Sequence, residues 1–251
     1  MTHRVIDVNT VFGLWPRRDL DVSLETLLRI KQRAGISAVC SLSTRGIFHN
    51  SILGNAETLA VSQEHTDIIP VATLDLREIT DYAADLKKLK AQGFKLLRFF
   101  REYQGWPLDY QPFDDLVRAL EQVTFPLYVT VTALGEITWL GRRLRACAFP
   151  VVVGGVNASF APLFAEAISV ATRCRAIYFD THRFDSVDAY EVFADKLGAK
   201  RLVFGSGAPL CYAESALNAL RKSALSERDK QLVLHKNLDL LLHRRRTHAH
   251  H

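Results

Sequence analysis

Eight short apolar runs alternate with stretches of helical spacing along 251 residues, and that rhythm constrains the fold more than any other feature of the chain. The runs are residues 5–13 (VIDVNTVFG), 37–42 (SAVCSL), 68–74 (IIPVATL), 94–100 (FKLLRFF), 126–131 (PLYVTV), 150–154 (PVVVG), 176–180 (AIYFD) and 202–205 (LVFG). Between them, apolar side chains recur three and four apart, as in Leu20, Leu24, Leu27 and Leu28, in Ile79, Tyr82, Ala83, Leu86 and Leu89, and in Phe113, Leu116, Val117 and Leu120. Further helices are expected over 55–65, 134–147, 160–173 and 187–197, with Leu217 and the 226–242 segment after the last strand. No two runs are joined by a two-residue hairpin, so the sheet should be parallel. Eight units in a chain of this length match one (β/α)8 barrel. The rival, an open doubly wound sheet, lacks a G-x-G-x-x-G after its first strand. The expectation is an α/β protein, a single-domain (β/α)8 TIM barrel over residues 1–242, with a basic, His-rich flexible tail over 243–251 (HRRRTHAHH).

That tail also settles what the formal charge of +5 means. Without Arg244, Arg245 and Arg246 the body carries 29 basic and 27 acidic side chains, too even a balance for a specific nucleic-acid footprint. The tail itself reads as a solvated terminus or as a docking segment for an acidic partner. Cys40, Cys147, Cys174 and Cys211 fall at no metal or redox spacing, and the opening residues lack the layout of a signal peptide. Apolar stretches are broken well before the ~20 residues of a membrane span. A cytoplasmic protein with reduced, mostly packed thiols is therefore expected; interior packing is the reading for both Cys40 and Cys211.

In a barrel the chemistry sits at the carboxyl ends of the strands. Reading just past each strand gives Asn9 and Val11, Arg45 and His49, Asp75 and Arg77, Arg98 and Arg101, Thr130 and Thr132, Gly155 and Asn157, then Asp180, His182 and Arg183, and finally Ser206. Several guanidinium forks on one mouth match the oxygens of a carboxylate or phosphate, so a small anionic ligand is favoured. Of nine histidines, only His49 and His182 stand where they can reach that mouth. A zinc site needs three or four good ligands, so no metal and no cofactor are expected. Asp180 and His182, two residues apart at one strand end, are the candidate acid–base pair. FGSGAP lacks the spacing of a G-x-S-x-G elbow, which leaves Ser206 as a small residue at a tight strand exit within reach of a ligand.

VIDVNTVFG resembles the strand-one signature of the amidohydrolase superfamily, an acid-x-His-x-His sequence followed by an aromatic residue and glycine. GFKLLRFFREYQGWPLDYQPFDDL resembles the fourth-strand region of amidohydrolase family 2, LVFGSGAPL its last-strand Phe-Gly-Ser-Asp-x-Pro motif, and KQLVLHKNLDLLL its closing helix. The likeness spans nearly the whole chain. It implies a barrel whose strand ends hold one or two divalent metals that polarise substrate and activate water. Here Asn9 and Val11 stand at the strand-one histidine positions, Gly207 at the strand-eight aspartate, and Thr130 and Gly155 at the histidines of strands five and six. Valine and glycine side chains do not ligate, and asparagine and threonine are weak neutral donors.

Three functional readings follow. The first is a barrel that has lost its metal site, a pseudoenzyme that binds a small anionic molecule or a protein partner through Asn9, Arg45, His49, Arg98, Arg101, Thr130, Asn157, Arg183 and Ser206. The second is a metal-independent hydrolase or lactonase with Asp180 and His182 as acid–base groups and arginines holding an anionic substrate. The third is a subunit, homo-oligomeric or otherwise, that serves assembly, with Trp15, Trp106 and Trp139 as anchors to examine.

Overall fold

A computed structural model describes residues 4–78 and 80–243; Ile79 and all of the tail beyond His243 lie outside the described residues. The eight strands are β1 (Ile6–Asp7), β2 (Ala38–Ser41), β3 (Ile68–Ala72), β4 (Leu96–Phe99), β5 (Leu127–Thr130), β6 (Val151–Gly154), β7 (Ile177–Asp180) and β8 (Leu202–Val203). They pair in sequence order and all in parallel. The Val8 N–H donates to the Phe204 carbonyl at 2.9 Å and the Gly207 N–H to the Asn9 carbonyl at 3.0 Å, which brings the last strand back to the first and nearly closes the barrel. The expected (β/α)8 architecture is the observed one. No helix among the described residues is long and apolar enough to cross a membrane.

Alternation along the strands sorts side chains into two cores, because successive residues of a strand point to opposite faces. Leu97, Phe99, Leu127, Val129, Val151, Val153, Ile177 and Phe179 pack outward against the helices. Ile6, Val8, Cys40, Val71, Leu96, Tyr128, Val152 and Val203 fill the interior, joined by Leu238 and Leu241 from the closing helix. Each such side chain contributes about 1.5–3 kcal/mol when fully buried. Trp106 lies in the outer core against Phe99 and Phe113, and Trp139 packs on Phe113, so neither is an exposed anchor.

The helices fall where the periodicity places them, with differences of local origin that include a short helix over Arg101–Gln104. A helical turn (Arg45–Phe48) precedes the next helix, which begins at Ser51 rather than near residue 55 (Ser51–Glu64). Asn50 explains the early start, since its side chain accepts the Leu53 N–H at 2.9 Å and caps the helix. Gly54 lets the two pieces touch: a Cβ there would lie 2.1 Å from the Gly46 nitrogen. The 226–242 segment is helical but contains a π turn over Leu232–Lys236. Within that turn the Val233 carbonyl accepts the Phe204 N–H at 2.9 Å, and Asn237 donates to the Ala199 and Leu202 carbonyls at 2.9 and 2.7 Å. The closing helix thereby grips β8 at both ends.

Gly154 at the end of β6 makes room for Tyr128 of β5, since a Cβ on it would lie 2.1 Å from the Tyr128 hydroxyl. Gly154→Ala should therefore destabilise the protein by about 1–3 kcal/mol through overpacking, read as a lower Tm in a thermal melt. Tyr128→Phe in the same chain should recover part of that loss, because it removes the clashing oxygen.

Candidate functional site

Five strand ends converge on one buried polar network. At β1, Asp7 is fully buried and its Oδ1 accepts the N–H groups of Asn9 (2.9 Å) and Ser206 (3.0 Å), while the Ser206 hydroxyl donates to its Oδ2. Asn9 then spans the barrel: its Nδ2 donates to Asp180 Oδ2 at 2.7 Å, and its Oδ1 accepts from the Arg98 guanidinium at 2.7 Å. An amide carries its donor and its acceptor on separate atoms, so these two bonds fix which way Asn9 points. Arg98 reaches in from β4, 5% exposed, with its guanidinium carbon 4.4 Å from the ring centres of both Phe100 and Tyr128. Among the described residues its Nε finds no acceptor, and the two aromatic faces supply the compensating contact.

Asp180, at the end of β7, is the hub. Besides Asn9, its Oδ2 accepts the Tyr128 hydroxyl at 2.5 Å and lies 3.1 Å from His182 Nδ1, and its Oδ1 accepts the His182 N–H at 2.8 Å. Gly205 lets the carboxylate sit there, since a Cβ on it would be 2.0 Å from Asp180 Oδ1. Burial pushes the Asp180 carboxyl upward, but the neighbouring imidazole and the hydrogen bonds of His182 and Tyr128 outweigh it and hold the group below the usual carboxylate range. Tyr128 responds in the opposite sense: burial and the Asp180 charge drive its hydroxyl well above the ordinary value, so it stays a donor. Asp7 is pushed up to about 7, chiefly by burial, with the Ser206 and Asn9 hydrogen bonds resisting and the Asp180 charge adding to the rise.

The sequence-predicted residues divide. Asp180, His182, Asn9, Arg98 and Ser206 meet in the network. Arg101 is spent elsewhere, in an ion pair with Glu136 and in bonds to the Thr130 carbonyl (3.2 Å) and Thr132 Oγ1 (3.0 Å). Thr130 thus takes part through its backbone. Asn157 turns its Oδ1 back to the Ser159 N–H at 3.0 Å. Arg183 is exposed and lines a cavity of about 390 Å³ together with His182, Ser206 and Cys211. Arg45 and His49 line a different cavity, of about 460 Å³, with Thr44, Phe48 and Glu57. An aromatic cover adjoins the latter: Trp15 and Phe48 are 5.1 Å apart, Tyr103 lies 5.3 Å from each, and Phe100 continues the stack toward Arg98. Cys40 is buried as expected, but Cys211 is exposed, because it sits in the loop after β8 rather than in a strand. Sequence reasoning missed Tyr128; its placement two residues before Thr130, on the same face of β5, was the available signal. Among the described residues no group of three or more His, Cys, Asp and Glu side chains is placed to hold a metal ion.

Comparison with solved structures finds the same barrel fold in hydrolases and decarboxylases. A probable 2-pyrone-4,6-dicarboxylic acid hydrolase from Acinetobacter baumannii, with citric acid bound, matches with a TM-score of 0.74 and 16% identity over 95% of this chain and 99% of its own. A 5-carboxyvanillate decarboxylase from Novosphingobium aromaticivorans, complexed with manganese and 4-hydroxy-3-methoxy-5-nitrobenzoic acid, matches with a TM-score of 0.73 and 14% identity over 96% of each chain. A Staphylococcus aureus protein provisionally assigned as an amidohydrolase gives 0.70 and 13% over 95% of this chain and 99% of its own. No family model and no curated protein sequence matches. At such identities the likeness is one of fold, and the resemblance read from the strand motifs stands at that level.

The Asp7 shift has a measurable consequence. Unfolded, the carboxyl titrates near its ordinary value of 3.8; folded, it titrates near 7, so the native state holds the proton more tightly. Stability should therefore fall as pH rises from about 4 to about 7, by roughly 4 kcal/mol from this group alone, and level off above. Asp7→Asn, which keeps the acceptor oxygen without the charge, should match wild type near pH 4 and exceed it at pH 8. Denaturant unfolding of both proteins across this range reads the difference.

Proposed function

We propose that the chain is a metal-independent hydrolase of small anionic esters or lactones, cytoplasmic, with His182 as the general base. The observation that carries this reading is the Asp180–His182 pair. Asp180 is fully buried and clamped by Tyr128 and Asn9, it holds His182 by both Nδ1 and the backbone N–H, and the ring is partly exposed to a cavity. A histidine fixed at one nitrogen by a carboxylate presents the other to a substrate or water, the arrangement general-base catalysis requires. The exposed Arg183 guanidinium, on the same cavity, suits a carboxylate on the substrate. In this reading Nε2 of His182 takes a proton from water as the oxygen attacks the ester carbon, then returns it to the departing alkoxide.

The residues at the strand ends do not suit a divalent metal. Val11 and Gly207 offer no donor, and both ends of the Asn9 amide are engaged, one of them by the Arg98 cation. A metal ion beside Asn9 would meet a buried guanidinium, so no step is routed through one. The name of the Acinetobacter neighbour, a dicarboxylic acid hydrolase, and the citric acid bound to it agree with a polyanionic substrate class here.

The aromatic cover of Trp15, Phe48 and Tyr103 favours a second reading, a barrel that binds a small carboxylate or a protein partner without chemistry. Hydrolysis of mono-4-nitrophenyl succinate and of a lactone panel separates the two. Activity should persist in excess chelator and fall about 100-fold or more in His182→Gln, and Arg183→Ala should raise KM more than it lowers kcat. Loss of activity in chelator would overturn the metal-free reading; absence of turnover on every substrate would favour the binding one.

A further inference from the structure

We propose that Cys211 is a covalent nucleophile served by His182, so that the site works through a Cys–His–Asp arrangement rather than by direct attack of water. This rests on the reading of the site as a hydrolase and deepens it. Three observations on the loop after β8 carry it. Gly207 has φ +75°, a left-handed backbone that suits glycine, and a Cβ on it would lie 3.3 Å from Cys211 Sγ and 3.4 Å from His182 Cδ2. The space left by that missing side chain therefore adjoins both the thiol and the imidazole edge next to Nε2. Cys211 is tied to the same turn, its N–H donating to the Gly207 carbonyl at 3.1 Å. Finally, Cys211, His182, Arg183 and Ser206 line one cavity, and Cys211 is the exposed cysteine of the chain.

The roles divide by atom. His182 Nδ1 is committed to Asp180, which leaves Nε2 as the ring nitrogen available to the thiol. Partial burial pushes the Cys211 thiol up, while the charges of Arg183 and Arg18 pull it back. Such a thiol is largely protonated near neutral pH and needs a base at the moment of attack. A staggered rotation about the Cys211 Cα–Cβ bond is open to an exposed side chain and adjusts the approach of sulfur to the ring. In the acylation step the thiol proton passes to His182 Nε2, a bond forms between Sγ and the ester carbon, and the ester C–O bond breaks; the alkoxide leaves with the proton from Nε2. Water then gives a proton to Nε2 and its oxygen to the thioester carbon, the C–S bond breaks, and Sγ recovers the proton. The substrate class is a small ester or lactone whose free carboxylate reaches Arg183.

The experiment reads the thiol directly. Carbamidomethylation of Cys211 by iodoacetamide is followed by peptide mass spectrometry at pH 7.5 in wild type and in His182→Gln, with Cys147 in the same samples as reference. The proposal expects the Cys211 rate to fall at least fivefold in His182→Gln while Cys147 is unchanged. It also expects a succinyl group on the Cys211 peptide after acid quench with mono-4-nitrophenyl succinate, and hydrolysis lowered at least 100-fold in Cys211→Ala. Equal Cys211 alkylation in both proteins overturns the pairing. Hydrolysis that survives Cys211→Ala but not His182→Gln overturns the nucleophile and leaves water-based hydrolysis standing. A succinyl adduct that forms on Cys211 but never turns over supports the nucleophile and sinks the hydrolase reading.

Discussion

The structure at the barrel mouth depends on one buried carboxylate, Asp180. A charge with no exposure is tolerated only when its lone pairs are filled and a counter-charge is near. Tyr128, Asn9 and the backbone N–H and ring Nδ1 of His182 fill them, and each residue comes from a different part of the chain. The surrounding choices follow from that need. Gly205 and Gly154 are small because Asp180 and Tyr128 require the space, and Asn9 is an amide because it must donate to one ion and accept from another.

Arg98 completes the electrostatics without touching Asp180. The Asn9 amide stands between guanidinium and carboxylate, while Phe100 and Tyr128 hold the guanidinium face to face. The result is a rigid, charge-balanced floor. The exposed groups, Arg183 and Cys211, lie beyond it on the β7–β8 side. The side of β1, β2 and β4 is covered by aromatic rings instead. His182 thus stands at the boundary between the fixed network and the cavity on the β7–β8 side.

Much of this was legible in the sequence because strand and helix periodicities are local. All eight strands lie where apolar runs predict them. The early start of the helix at Ser51 was harder to read, since it depends on an Asn50 cap and a Gly46–Gly54 contact that weaken the hydrophobic pattern. At the site, Asp180 and His182 were visible as neighbours on one strand end. Tyr128 was not, because an aromatic residue inside an apolar strand has the signature of core packing, and its bond to Asp180 joins positions 52 residues apart. Arg101 was read as a ligand group for want of the Glu136 partner that only the fold supplies. Cys211 has no histidine near it in sequence; the two come together across the Gly207 turn.

The meeting of Asp7 with Ser206 joins residues 199 apart and is one of the contacts that turn a row of strands into a ring. Until β8 arrives, the Asp7 carboxylate is free to remain ionised in water. Once enclosed, it prefers a proton. Ring closure and proton uptake are therefore linked, so the contact that closes the barrel should weaken as pH rises in a way that the contacts within its other β/α units do not.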